Sequence, residues 1–130
     1  MGRKEQLPII IFSVFRANET NEYNKDVHET VKVSLQSKNI GFKELMGVYN
    51  GVSELSLLVL ANHENVVKDL CAQFKQECYL FSGPDRNSEL VYPDNRRESI
   101  GTLQRISEHE AKTLKSFTYD FTDNSFWACK

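Results

Sequence analysis

At 130 residues the chain is long enough for one compact domain and too short for two well-buried ones, so residues 1–130 read as a single domain. Its 40% hydrophobic and 26% charged residues lie near the globular average, which excludes a disordered chain and gives no sign of a membrane class. The formal net charge of -2, with Lys and Arg scattered, argues against nucleic acid as a main partner and is too small for a surface that imitates DNA.

The start, Met1-Gly2-Arg3-Lys4-Glu5-Gln6, lacks the Ser or Thr that myristoylation wants at position six. Leu7 to Phe15 is rich in Ile, Val and Phe, is far shorter than the ~20 residues of a membrane span, and has no small-residue cleavage site after it. It is expected to be a strand. From Asn21 to Ser37 the apolar residues Tyr23, Val27, Val31 and Leu35 recur every four positions, which predicts a helix with one buried stripe, ended near Asn39 and Gly41.

Phe42 to Tyr49 and Val52 to Leu60 flank Asn50-Gly51, the preferred pair for a two-residue type I′ hairpin, whose central residues both need positive φ. Asn62 is placed to cap a second helix near 63–76, with Val66, Val67, Leu70, Cys71 and Phe74 on one face. Cys78 to Phe81 reads as a strand ended by Ser82-Gly83-Pro84-Asp85, and Leu90 to Tyr92 as a short further one. Phe117–Phe121 and Phe126-Trp127, around Thr122-Asp123-Asn124-Ser125, suggest a terminal hairpin. The order βαββαβ predicts a ferredoxin-like α+β fold: an antiparallel sheet with both helices on one face, plus a C-terminal β-hairpin extension.

The hairpin fixes a register. With Asn50-Gly51 as the turn, Tyr49 lies opposite Val52 and Gly47 opposite Glu54, so Tyr49 and Glu54 share one face as diagonal neighbours. Met46, Val48, Leu55, Leu57 and Val59 belong to the other face, expected to pack on the helices. The Tyr49 face also carries Leu45, Val52, Leu58 and Leu60 and so needs cover. In so short a chain a second copy is the expected cover, which predicts a homo-oligomer with sites near subunit boundaries.

No standard catalytic or phosphate-binding signature is present. His28, His63 and His109 are far apart and read as surface histidines. Cys71, Cys78 and Cys129 form an odd set with no Cys-x-x-Cys spacing, which points away from disulfides and zinc and fits a reduced cytoplasm. No cofactor or metal is expected. Glu54 is the most informative residue: on a covered face an ionised carboxylate is costly unless it has a partner. It is either a strand-edge glutamate paired with a lysine such as Lys43, or part of a site. Tyr49 is either rim packing or site, and Arg16 either surface or site.

Several stretches over nearly the whole chain resemble the S-adenosylmethionine-cleaving enzymes of bacteriophages, long described as hydrolases and better as lyases. They are Ser13-Val14-Phe15-Arg16-Ala17-Asn18, Gly47-Val48-Tyr49, Cys71-Ala72-Gln73-Phe74-Lys75-Gln76-Glu77-Cys78, Leu90-Val91-Tyr92, Gly101-Thr102-Leu103-Gln104, Phe117-Thr118-Tyr119-Asp120 and Phe126-Trp127. The resemblance implies S-adenosylmethionine as substrate, methylthioadenosine and homoserine lactone as products, and a trimer with substrate between subunits. It implies catalytic positions at Tyr49 and Glu54 and substrate-binding positions at Phe15, Arg16, Asn18 and Phe42. A non-catalytic ferredoxin-like oligomer that binds and sequesters a small ligand is the alternative.

Overall fold

The computed structural model describes residues 6–130; the myristoylation reading of the first residues therefore lies outside the described part. The elements in order are β1 (Ile9–Phe12), α1 (Asn21–Ser37), β2 (Lys43–Tyr49), β3 (Val52–Leu60), α2 (Glu64–Gln73), β4 (Tyr79–Ser82), β5 (Asn87–Val91), β6 (Arg97–Ile106), α3 (Glu108–Thr113), β7 (Phe117–Asp120) and β8 (Ser125–Cys129). The strands close into an antiparallel barrel in the order β1-β3-β2-β7-β8-β6-β5-β4.

The closed barrel overturns the ferredoxin-like sheet. β1 does lie between β3 and β4, and β2 does pair with β3, but neither edge of that ribbon stays free. β7 pairs with β2 and β5 with β4, and β8 and β6 join the two ends. An unpaired strand edge is a row of unsatisfied backbone donors and acceptors, and closure removes both edges at once. The terminal hairpin suggested by sequence is not an appendage. As β7 and β8 it is part of the wall.

Alternation along the strands separates an outer from an inner surface. Ile10, Phe12, Leu57, Val59, Tyr79 and Val91 point outward into one core with Val31 and Leu35 of α1 and Val67, Leu70 and Cys71 of α2. Each such aliphatic side chain contributes about 1.5–3 kcal/mol on burial. A smaller cluster joins Ala111 of α3 to Ile106 and Ala128. The face that the sequence left needing a second copy is the barrel lumen, and its cover is the second half of the same chain.

The Asn50-Gly51 turn has φ of 51° and 81°, the pair of positive values that a type I′ hairpin requires, and its register places Tyr49 opposite Val52 and Gly47 opposite Glu54. In α1 the buried stripe is Asn24, His28, Val31 and Leu35, because a 3.6-residue period drifts away from a strict four-residue one. Tyr23 is therefore exposed, while His28, expected at the surface, is completely buried. Thr20 caps α1 by accepting from the Tyr23 N–H, and Asn39, with φ of 58°, follows its end. Asn62 does not cap α2: it lies in a single 3₁₀ turn, Ala61–His63, that leads into the helix.

Candidate active site

The inner wall encloses an open cavity of about 560 Å³. Buried Ile9, Leu45, Ser82 and Ser88 fill lumen positions that the cavity does not reach. An eight-stranded barrel is just wide enough to be filled by side chains or to hold one small ligand, and here a part is left open.

Glu54 and Tyr49 both line this cavity. Glu54 reaches it from β3 and is half-buried, and burial raises its carboxyl above the usual carboxylate range, against a smaller opposite pull from Ser13. The Ser13 hydroxyl is 3.4 Å from Glu54 Oε2, while its better-placed bond goes to the Leu55 carbonyl at 2.9 Å. The Lys43 partner expected for Glu54 is engaged elsewhere, 2.6 Å from Asp120. Among the described residues, Glu54 therefore faces the cavity without a cationic partner. Tyr49 stands at the rim, 60% exposed, beside Val52 at 61%. Among the described residues the cavity lining contains three carboxylates, Glu54, Glu77 and Glu98, and no Lys, Arg or His.

The other four residues singled out from sequence lie outside the cavity lining. Phe15 is buried with its ring edge-on to His28, centroids 6.0 Å apart. Arg16 holds Asn24 through both backbone groups, and its guanidinium lies 3.7 Å from Glu19. Asn18 is exposed in the turn before α1, and Phe42 packs into the outer core. Two bonds link this segment to lining residues: Gln76 donates from Nε2 to the Phe15 carbonyl at 2.8 Å, and the Phe15 N–H donates to the Ser13 hydroxyl at 3.1 Å.

Reasoning from sequence did not place Glu77, Glu98 or Trp127 in one site. For Trp127 a signal existed, since Ser125, Trp127 and Cys129 alternate with Phe126 and Ala128, which pack on the α3 side. The indole N–H donates to the Ser125 hydroxyl at 2.8 Å, and Ser125 is in turn held by Asp123. Among the described residues no group of three His, Cys, Asp or Glu side chains is arranged to hold a metal ion. No helix among the described residues is long and apolar enough to cross a membrane.

An acidic, partly aromatic cavity suits a ligand that is both cationic and ring-bearing. The model of the S-adenosylmethionine lyase family matches residues 10–130, from the second residue of β1 to the last residue of the chain. The chain belongs to the S-adenosylmethionine lyase family. No curated protein matches it in sequence. Membership of this lyase family implies lyase activity on S-adenosylmethionine, a sulfonium cation joined to an adenosyl group.

Proposed function

We propose that the chain converts S-adenosylmethionine to 5′-methylthioadenosine and L-homoserine lactone by attack of the substrate's own carboxylate. A carboxylate oxygen bonds to the γ-carbon, the bond from that carbon to sulfur breaks, and its electron pair leaves with sulfur as a neutral thioether. No proton moves, and no protein nucleophile is needed. The protein's task is to fold the methionine chain until the reacting atoms are ~3–3.5 Å apart, an ordering worth ~7–11 kcal/mol in favourable cases.

The observation that carries this reading is the lining, with three Glu and no basic side chain. Glu54, free of a lysine partner, anchors the substrate ammonium and fixes the bend of the chain. The Tyr49 ring holds the sulfonium by cation–π contact. Phe15, Arg16 and Asn18 act from behind this pair by setting the segment tied to Gln76.

The protein works in this reading as a homotrimer in the host cytoplasm of a bacteriophage, where loss of S-adenosylmethionine counters restriction and modification of the phage genome. Exposed Tyr49 and Val52 at the cavity rim are the apolar surface that a neighbouring copy covers. Incubation with S-adenosylmethionine should release methylthioadenosine catalytically, with homoserine lactone preceding homoserine. Stoichiometric binding without turnover would instead establish a sequestering protein. Label from heavy-oxygen water at the side-chain hydroxyl of homoserine would show hydrolysis at the γ-carbon.

A further inference from the structure

Register places four lumen-facing positions in one row across neighbouring strands: Glu54 on β3, Gly47 on β2, Thr118 on β7 and Trp127 on β8. Paired residues of adjacent strands share a face, so the row spans three inter-strand steps, roughly 14 Å along the wall. All four line the cavity. Along these four positions a carboxylate and an indole flank a hydrogen and a short side chain, and beyond Trp127 the row continues to exposed Arg105 of β6, which lies outside the cavity lining.

Gly47 is not there for backbone freedom, because its φ lies outside the left-handed range that favours glycine. Glycine within a strand weakens the strand unless something approaches the backbone closely. The approach from within the protein is slight: a Cβ added at Gly47 would meet only the Ser56 hydroxyl at 3.0 Å and the Glu54 carbonyl at 3.6 Å. The hydroxyl can rotate aside, so the packing alone does not demand glycine. Trp127, by contrast, is fixed, since its N–H is tied to Ser125 and Ser125 to Asp123.

Resting on the lyase reading, we propose that Gly47 and Thr118 form the floor of a trough in which the substrate lies across the strands, its ammonium at Glu54 and its adenine stacked on Trp127. The substrate has the matching layout, with ammonium and purine at opposite ends and the sulfonium between them, on the Tyr49 side. Gly47 is then the residue that sets specificity for the long adenosyl cation. Asp123 and Ser125 are positioning residues that act through Trp127.

Trp127 is the one tryptophan of the chain, so its fluorescence reports directly on the trough. Titration with 5′-methylthioadenosine should change this emission saturably. Gly47→Ala should raise KM at least tenfold with the thermal midpoint little changed, and the double variant Gly47→Ala/Ser56→Ala should not recover, because the methyl group still occupies the floor. Ser125→Ala, which frees the indole, should raise KM more than it lowers kcat. Silent fluorescence at saturating methylthioadenosine, or recovery of activity in the double variant, would overturn the trough. Wild-type turnover in the same experiments separates the two claims: cleavage without these effects defeats the trough alone, and absence of cleavage defeats the lyase reading itself.

Discussion

Glu54 stands directly opposite Gly47 across the β2–β3 pair, so the half-buried carboxylate looks over a position with no side chain. Burial raises its folded-state pKa above the ordinary value of 4.5, so the native state holds this proton more tightly than the unfolded chain does. Its effect on stability is therefore absent below about pH 4.5 and grows unfavourable as pH rises through the folded pKa. Glu54→Gln should melt at a higher temperature than wild type at pH 7, with the gap closing near pH 4. The same variant should lose turnover at least ~100-fold if a charge-assisted bond to the substrate ammonium is what it supplied. Calorimetry at both pH values and a turnover assay test the pair of effects, and equal melting at pH 7 would show that Glu54 carries no burial cost.

Tyr49 should divide into ring and hydroxyl. Its ring is the part that meets a sulfonium, so Tyr49→Phe should keep activity within about tenfold, while Tyr49→Leu, which removes the ring quadrupole, should lose more. At 60% exposed, neither change should lower the melting temperature appreciably. If Tyr49→Phe proves as damaging as Tyr49→Leu in kcat/KM, the hydroxyl rather than the ring carries the function.

The hairpin was legible from sequence because its determinants are local. Asn50-Gly51 set the turn, the turn set the register, and the register placed Glu54 and Tyr49 on one face, apolar enough to need cover. What covers that face was not legible. The cover depends on pairing Leu45–Val48 with Phe117–Asp120, far along the chain, and no local preference encodes such a contact. β6 hid for a second reason: Arg97, Glu98, Ser99, Gln104 and Arg105 are polar and exposed, so its alternation is weak. Gly101 interrupts it with φ of 97°, where a Cβ would strike the Lys130 backbone. A glycine within a polar run reads as a loop, whereas here it permits close approach of the chain's last residue to the wall. Trp127 could have been placed inside only once the barrel was known to close.

Beneath α1, His28 Nε2 lies 2.6 Å from Glu44 Oε1, and Lys32 reaches the same oxygen at 3.4 Å. Burial pushes the Glu44 carboxyl up, but the His28 hydrogen bond and the Lys32 charge outweigh it and leave the pKa lowered. Asp120 is likewise lowered, its burial outweighed by Lys43 and the Thr122 N–H. A depressed carboxylate contributes stability above its unfolded value that is lost as pH falls through the folded one, so the barrel should weaken below about pH 4. Glu44→Gln should cost about 1–3 kcal/mol at pH 7, through a weaker partner for buried His28, and should flatten this acid limb. A thermal melt series from pH 3 to 7 reads both, and an unchanged acid limb would locate the sensitivity elsewhere.

The three cysteines give the last test, because Cys71 sits on the outer side of the wall, Cys129 on the lumen side, and Cys78 beside both. Cys71 is buried in the outer core, where burial, then the nearby Cys78, push its thiol up to about 12. Cys78 and Cys129 line the cavity. Burial raises both, with Glu77 and Glu98 adding to Cys78 and a Ser88 hydrogen bond partly opposing it at Cys129. Since the thiolate is the reactive form, all three should react with iodoacetamide at pH 7 more slowly than a free cysteine, whose pKa is ~8.5. The two cavity thiols should nevertheless react before Cys71, which is only 7% exposed and has the most strongly raised thiol. Saturating methylthioadenosine should protect Cys129 and leave Cys71 as slow as before, because a ligand in the lumen shields the inner wall alone. Mass spectrometry of timed digests reads each site separately. Labelling of Cys71 first, in protein that still melts cooperatively, would mean that the outer core rather than the lumen is the open side of this fold.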